Sequence, residues 1–105
     1  DTQLMSLPEM PTAIACQEDG IAVPLMFQLE RNGFSVPSDI SLIGYDDSIY
    51  TNDIGLTTIR QNPAEMARTA ARMTLDLIQG HDPSPAFVEI PAQLVVRSST
   101  SGVHR

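Results

Sequence analysis

Apolar residues in this chain fall into short β-prone runs and two helical stripes. Thr12 to Cys16 is a short run of this kind and reads as a strand. Ile21, Leu25, Met26 and Leu29 then recur at helical spacing and are expected to face a sheet. The spacing predicts a helix from Asp19, read as its N-cap, to about Asn32, with Gly33 as terminator. Pro24 falls in the second turn, where a proline clashes with the preceding carbonyl, so a late or bent start is expected. After a tight loop around Val36-Pro37-Ser38, Ser41 to Tyr45 reads as a short, buried strand. Strand, helix and strand make one βαβ unit with a right-handed crossover.

The second half is patterned differently. Ser48 to Gly55 has no clean period and is expected to be a short helical turn or loop, and Leu56 to Ile59 is β-prone again. A second helix is the clearest element: Asn62 caps it, Pro63 takes its first position, and Glu65 stands three after the cap. Met66, Ala70, Met73 and Leu77 form one stripe, with Ala67, Ala71, Thr74 and Ile78 beside it, and Gly80 ends it. Arg72 and Asp76 are spaced to pair. Phe87 to Ile90 and Leu94 to Arg97 read as two strands separated by Pro91, and Ser98 to Arg105 as a frayed tail. Residues 1–11 have no period and read as a helix tail or linker.

Composition narrows the chemistry. The 105 residues have the length of one small domain and are 42% hydrophobic, enough for a core. No apolar run approaches the length that spans a bilayer, and no signal peptide is seen. Asp1 is read as following processing or a cut. Thirteen acidic residues against six basic ones give a net charge of −7, and all six basic residues are arginine. Without lysine there is no Walker A lysine, no Schiff-base lysine and no lysine beside a phosphoacceptor aspartate. The acidic balance speaks against this segment itself gripping nucleic acid. Cys16 is the only cysteine, expected to be a buried structural thiol in a reducing setting.

Candidate chemistry concentrates at strand ends. Asp46 and Asp47 follow the Ser41–Tyr45 strand, and in open α/β sheets ligands bind beyond the carboxyl ends of strands. Three readings stand for the pair. It is a clamp for vicinal hydroxyls, a divalent-metal or phosphoryl site, or a carboxylate capping the next turn. Glu18 also follows a strand end, so it is either an acid/base partner, as in a glycosidase, or an exposed acidic helix start. His81 and His104 have no metal-ligand or nucleophile partner at a diagnostic spacing, and no catalytic residue, metal or cofactor is expected. The five methionines are read as core filling.

Taken together, three segments resemble the LacI/GalR family of transcriptional regulators. Val36-Pro37-Ser38-Asp39-Ile40-Ser41-Leu42-Ile43-Gly44-Tyr45-Asp46-Asp47 is close to the family's VPxDISVVGFDD. Leu56-Thr57-Thr58-Ile59-Arg60-Gln61 is close to LTTVRQ, and Leu94-Val95-Val96-Arg97-Ser98-Ser99-Thr100 to the closing LVVRxST. Order and spacing also match, over roughly Pro11 to Thr100.

The resemblance implies an α/β, class I periplasmic-binding-protein-like fold: a mostly parallel sheet flanked by helices, here a partial chain covering mainly the C-terminal lobe. It implies one partial effector-binding domain, 1–105. Within it, 12–60 belongs to the C-terminal lobe, 61–80 is a helix contributed to the N-terminal lobe, and 86–100 supplies return strands. Asp46 matches the family's effector-bonding aspartate, with Gln61 at the crossing between lobes and Glu18 where many members have Asn. Asp47 completes the expected ligand-binding set. Val23, Phe27, Tyr50 and Ile54 are the expected dimer-interface residues. The implied function is non-enzymatic, cytoplasmic sensing of a sugar-like effector by a homodimer. Operator DNA would be reached only through a headpiece absent from this chain, and no membrane partner is implied. The alternative is a lobe of a periplasmic-type sugar-binding protein of a transporter or chemoreceptor.

Overall fold

The computed structural model describes residues 2–49 and 51–103. In order they form helix α1 (Thr2–Met5), strand β1 (Ala13–Ala15), helix α2 (Asp19–Arg31), strand β2 (Ser41–Ile43), a 3-10 turn (Asn52–Ile54), strand β3 (Thr58–Arg60), helix α3 (Pro63–Ile78) and strand β4 (Gln93–Val95). The chain divides into two compact units, Asp1–Arg60 with Leu94–Arg105, and Gln61–Gln93.

In the first unit, β1 and β2 pair in parallel, with Ala13 opposite Ser41, Ile14 opposite Leu42 and Ala15 opposite Ile43. A parallel pair needs a crossover of a dozen or so residues, and α2 supplies it. A parallel bridge between Ile43 and Thr57 carries the next segment alongside β2. Hydrogen bonds from Gly44 N–H to the Thr57 carbonyl (2.9 Å) and from Asp46 N–H to the Ile59 carbonyl (2.8 Å) extend that pairing. β3 in turn pairs with β4. The parallel β1–β2 pair with its crossover helix is the α/β arrangement expected from the sequence.

Helix α2 departs from expectation in three ways. It begins at Asp19, so Glu18 is the N-cap residue, and its side chain makes no capping bond. It also carries Pro24 inside it rather than starting late. Pro24 has no N–H, so the Gly20 carbonyl four residues before it receives no bond from Pro24. The buried face is Asp19, Ala22, Met26 and Leu29, while Ile21 is exposed. Asp19 is the cause: its backbone N–H donates to the Tyr45 carbonyl at 2.9 Å, fixing the rotation of the helix against the sheet. At the other end, Gly33 at φ +88° closes the helix. Its N–H reaches the Glu30 carbonyl and that of Phe34 the Leu29 carbonyl, the paired bonds of a Schellman terminus.

Ala22, Met26, Leu42 and Leu56 form the core cluster, with Ile14, Cys16, Val23, Leu25, Val36 and Ile54 packed against it. Fully burying a leucine or methionine side chain contributes about 1.5–3 kcal/mol. Cys16 is half-buried, and burial pushes its thiol up from the ordinary range.

Within the segment expected to fray, residues 98–101 are docked on the fold. Ser99 is buried, its carbonyl accepts from Leu42 N–H (2.9 Å), and its Oγ donates to the Leu42 carbonyl (2.6 Å). Ser99 N–H reaches the Gly55 carbonyl and Ser99 Oγ accepts from Thr57 N–H, so one serine fastens β2, the 3-10 turn and the start of β3. Residues 87–90 in turn form no strand. A strand needs a partner ladder, and Phe87 stands exposed between Pro85 and Pro91.

In the second unit, α3 forms as its caps dictate. Asn62 Oδ1 accepts from Glu65 N–H (3.1 Å), Pro63 occupies the first turn, and Gly80 at φ +83° ends it. The Glu65 carboxylate pairs with Arg68 rather than closing back on Asn62. That i,i+3 pair is made instead of the expected Arg72–Asp76 pair.

Candidate functional site

The residues that follow β2 make a tight turn with two consecutive positive-φ aspartates, Asp46 at +113° and Asp47 at +57°. Non-glycine residues occupy this region at a cost, and aspartate tolerates it better than most. Gly44, just before, is buried because α2 begins against it: a Cβ there would meet Asp19 Oδ1 and, at 3.0 Å, the Leu56 side chain.

The two carboxylates are treated very differently. Asp46 presents an exposed side chain at the carboxyl edge of the sheet. Asp47 is drawn inward. Its Oδ1 takes Arg97 Nη2 at 2.7 Å and its Oδ2 takes Arg60 Nε at 2.7 Å. Its backbone N–H donates to Thr58 Oγ1 at 3.2 Å. The Arg97 bond, then the Arg60 bond, hold its carboxyl below the usual carboxylate range. Arg97 itself is pinned by the Leu56 carbonyl (2.9 Å) and Asn52 Oδ1 (2.6 Å).

Glu18 is exposed just beyond the end of β1, the strand beside β2. Gln61 opens the second unit. Asp19, expected from the sequence to be a helix N-cap, is a buried hub instead. It is 2% exposed, and its carboxylate accepts from Ser48 N–H (2.7 Å), Thr51 Oγ1 (3.3 Å) and Thr58 Oγ1 (2.8 Å). A signal was present: Gly44 two residues before the paired aspartates marks a close approach of another element, and Asp19 opens the helix that makes it.

Of the expected interface residues, Val23 and Ile54 pack against the core and also line a cavity of about 280 Å³ with Asp19, Gly20, Pro24, Ser48 and Thr51. Phe27 is 49% exposed, and Tyr50 lies outside the described residues, as does His104. Among the described residues, no three His, Cys, Asp or Glu side chains gather as a metal site would require, and no helix is long and apolar enough to cross a membrane.

A parallel sheet with a carboxylate-bearing turn at its carboxyl edge defines a class of ligand-binding lobes. The chain belongs to the periplasmic binding protein-like domain family, whose model matches residues 2–100. Its resemblance to LacI/GalR regulators is borne out by the proteins it is similar to. It is 38% identical over 100 residues to the HTH-type transcriptional repressor CytR of Escherichia coli K12, covering 93% of this chain and 29% of the repressor. It superimposes at TM-score 0.79 and 31% identity on the lac repressor dimer bound to operator and the anti-inducer ONPF, covering 95% of this chain and 35% of that one. It also superimposes on the transcriptional regulator CelR in complex with cellobiose, at TM-score 0.78 and 29% identity, covering 88% of this chain and 28% of that one. The chain thus spans well under half the length of the proteins it matches, 29% of CytR and 39% of a LacI-family regulatory protein from Corynebacterium glutamicum among them.

Proposed function

We propose that this chain is the part of a LacI-type transcriptional regulator that senses a small polyhydroxylated effector, with Asp46 as the primary contact. One observation carries the reading: two adjacent carboxylates are separated into an inner, arginine-locked Asp47 and an outer, exposed Asp46 on a turn of unusual backbone geometry. A carboxylate offers several acceptor sites to vicinal hydroxyls, and a fixed turn removes the ordering cost of binding. The cellobiose complex of CelR supports a sugar-like ligand, and the repressor relatives support a regulatory role. Glu18 and Gln61 act as supporting contacts. Glu18 supplies acceptors but no donor, which favours hydroxyl-rich ligands over carbonyl-bearing ones. Asp47 serves the turn more than the ligand.

In this reading 12–60 builds a C-terminal lobe, 61–80 gives its helix to an N-terminal lobe, and 86–100 returns. The regulator works as a cytoplasmic homodimer through Val23, Phe27, Tyr50 and Ile54, and reaches operator DNA through a separate headpiece. Effector binding acts by its differential affinity for two lobe arrangements. The test is calorimetric titration of the full-length protein and of Asp46→Ala with cellobiose and a panel of pentoses and hexoses. Loss of a charged hydrogen-bond partner is expected to weaken binding by about a hundredfold, roughly 2–3 kcal/mol. Wild-type affinity in Asp46→Ala, with folding intact, overturns the assignment.

A further inference from the structure

We infer that Asp19 is the positioning residue of the Asp46 turn, a role that rests on the reading of that turn as a ligand-binding element. Asp46 at φ +113° and Asp47 at φ +57° hold conformations that survive only where the surroundings fix them from several sides. Asp19 supplies that fixing from a single buried position, with its backbone N–H and its carboxylate. Its backbone N–H holds the Tyr45 carbonyl at 2.9 Å, immediately before the turn. Its Oδ2 takes Ser48 N–H at 2.7 Å, immediately after it, and Thr51 Oγ1 at 3.3 Å. Its Oδ1 takes Thr58 Oγ1 at 2.8 Å, and Thr58 Oγ1 accepts in turn from Asp47 N–H at 3.2 Å. The two aspartates are therefore gripped before, behind and beneath by one residue, through its backbone N–H and its carboxylate.

The energetics point the same way. Burying a charge is costly unless hydrogen bonds replace its water. Asp19 is 2% exposed, and its side-chain partners among the described residues are neutral donors on the turn and the strand under it. Opening the turn takes these donors away from the carboxylate, so turn geometry and the hydrogen bonding of Asp19 are one equilibrium. Gly44 belongs to the same device. Any larger residue would meet Asp19 Oδ1, so glycine at this position lets the start of α2 come within reach of the turn.

The experiment is hydrogen–deuterium exchange by mass spectrometry on the full-length protein, comparing wild type, Asp19→Asn and Thr58→Val. Asparagine keeps the shape but replaces one acceptor oxygen with a donor nitrogen, and valine removes the link between Asp19 and Asp47 without changing volume much. Exchange in the peptide covering Asp46, Asp47 and Ser48 is expected to speed up by about tenfold or more in both variants, with Leu42 and the C-terminal turn of α2 unchanged. Unchanged protection in that peptide overturns the inference. So does acceleration spread evenly over β2 and α2, which is the mark of general destabilisation. Sugar titration of Asp46→Ala, whose turn keeps its Asp19 contacts, separates this inference from the ligand reading. If Asp46→Ala binds as wild type does while Asp19→Asn loosens the turn, the ligand assignment falls and the positioning role stands.

Discussion

The two units of this chain reach order by opposite routes. In Gln61–Gln93 the helix α3 is specified locally. An asparagine cap, a proline in the first turn and a glycine at the end lie within the helix or next to it. Its apolar stripe nevertheless remains largely uncovered, with Met66 44%, Leu77 61% and Ile78 74% exposed. In the other unit the strands are three residues each, too short to stand alone, yet Leu42, Leu56 and Leu29 are fully buried there. Its order comes from bonds between residues some forty to sixty apart, such as Ser99 to Leu42 and Ser41 to Ser101. Strong local patterning and tight burial are thus separate properties, and the Asp46–Asp47 turn sits where the second dominates.

The largest expected effect contrasts the same substitution in both units. Leu42→Ala removes a fully buried side chain and is expected to destabilise the chain by about 2–5 kcal/mol. Leu77→Ala, 61% exposed, is expected to stay within roughly 0.5 kcal/mol. Urea denaturation of both variants measures the difference, and equal losses would erase the contrast. Next comes Arg97→Ala. It strips Asp47, Asn52 and the Leu56 carbonyl of a shared donor, at a cost of about 1–3 kcal/mol. Arg97→Lys is expected to recover only part of this, since an ammonium cannot reproduce the planar fork.

A smaller effect is pH-dependent. The folded-state carboxyl of Asp47 lies below its unfolded value, so its pairing stabilises the fold above that unfolded value, near pH 4. That stability is lost as pH falls through the lower folded value. Asp47→Asn is therefore expected to be less stable than wild type near pH 7 and to flatten the acid side of the stability profile, read by thermal unfolding between pH 2 and 7. An unaltered acid side would mean that other carboxylates control it. The smallest effect is Asn62→Ala, expected to cost about 1 kcal/mol and to loosen α3 alone, since its capping bond to Glu65 N–H is local. Backbone amide exchange that changes outside 61–80 would contradict that locality.

Much of the fold was legible before any coordinates. The βαβ order follows from short apolar runs on either side of a helical stripe, and both helix ends from Gly33 and Gly80. The place of the paired aspartates at the sheet edge follows from their position after a buried strand. Three features were not legible. The rotation of α2, burying Ala22 rather than Ile21, depends on a bond from Asp19 to Tyr45 that no periodicity encodes. The docked tail was hidden because Ser98 to Ser101 is polar, and polar runs near a terminus usually fray. The missing strand at 87–90 was suggested by β-propensity, which states only that a residue suits a half-buried pleated surface, not that one is available.

The sequence by itself determined the two long helices and where they stop, the first three strands, and that carboxylates gather after the second strand. Those are properties of nearest neighbours: cap side chains, glycine φ freedom and apolar spacing. Only the tertiary structure decided which of two adjacent aspartates turns inward. Arg60, Arg97 and Thr58 come from segments eleven to fifty residues away, and their bonds to Asp47 leave Asp46 as the exposed carboxylate. It also decided that Asp19 is held inside the fold rather than serving as a surface cap. The physical reason is the same in both cases: a carboxylate goes where its hydrogen-bond donors are, and those donors meet only when the chain has folded.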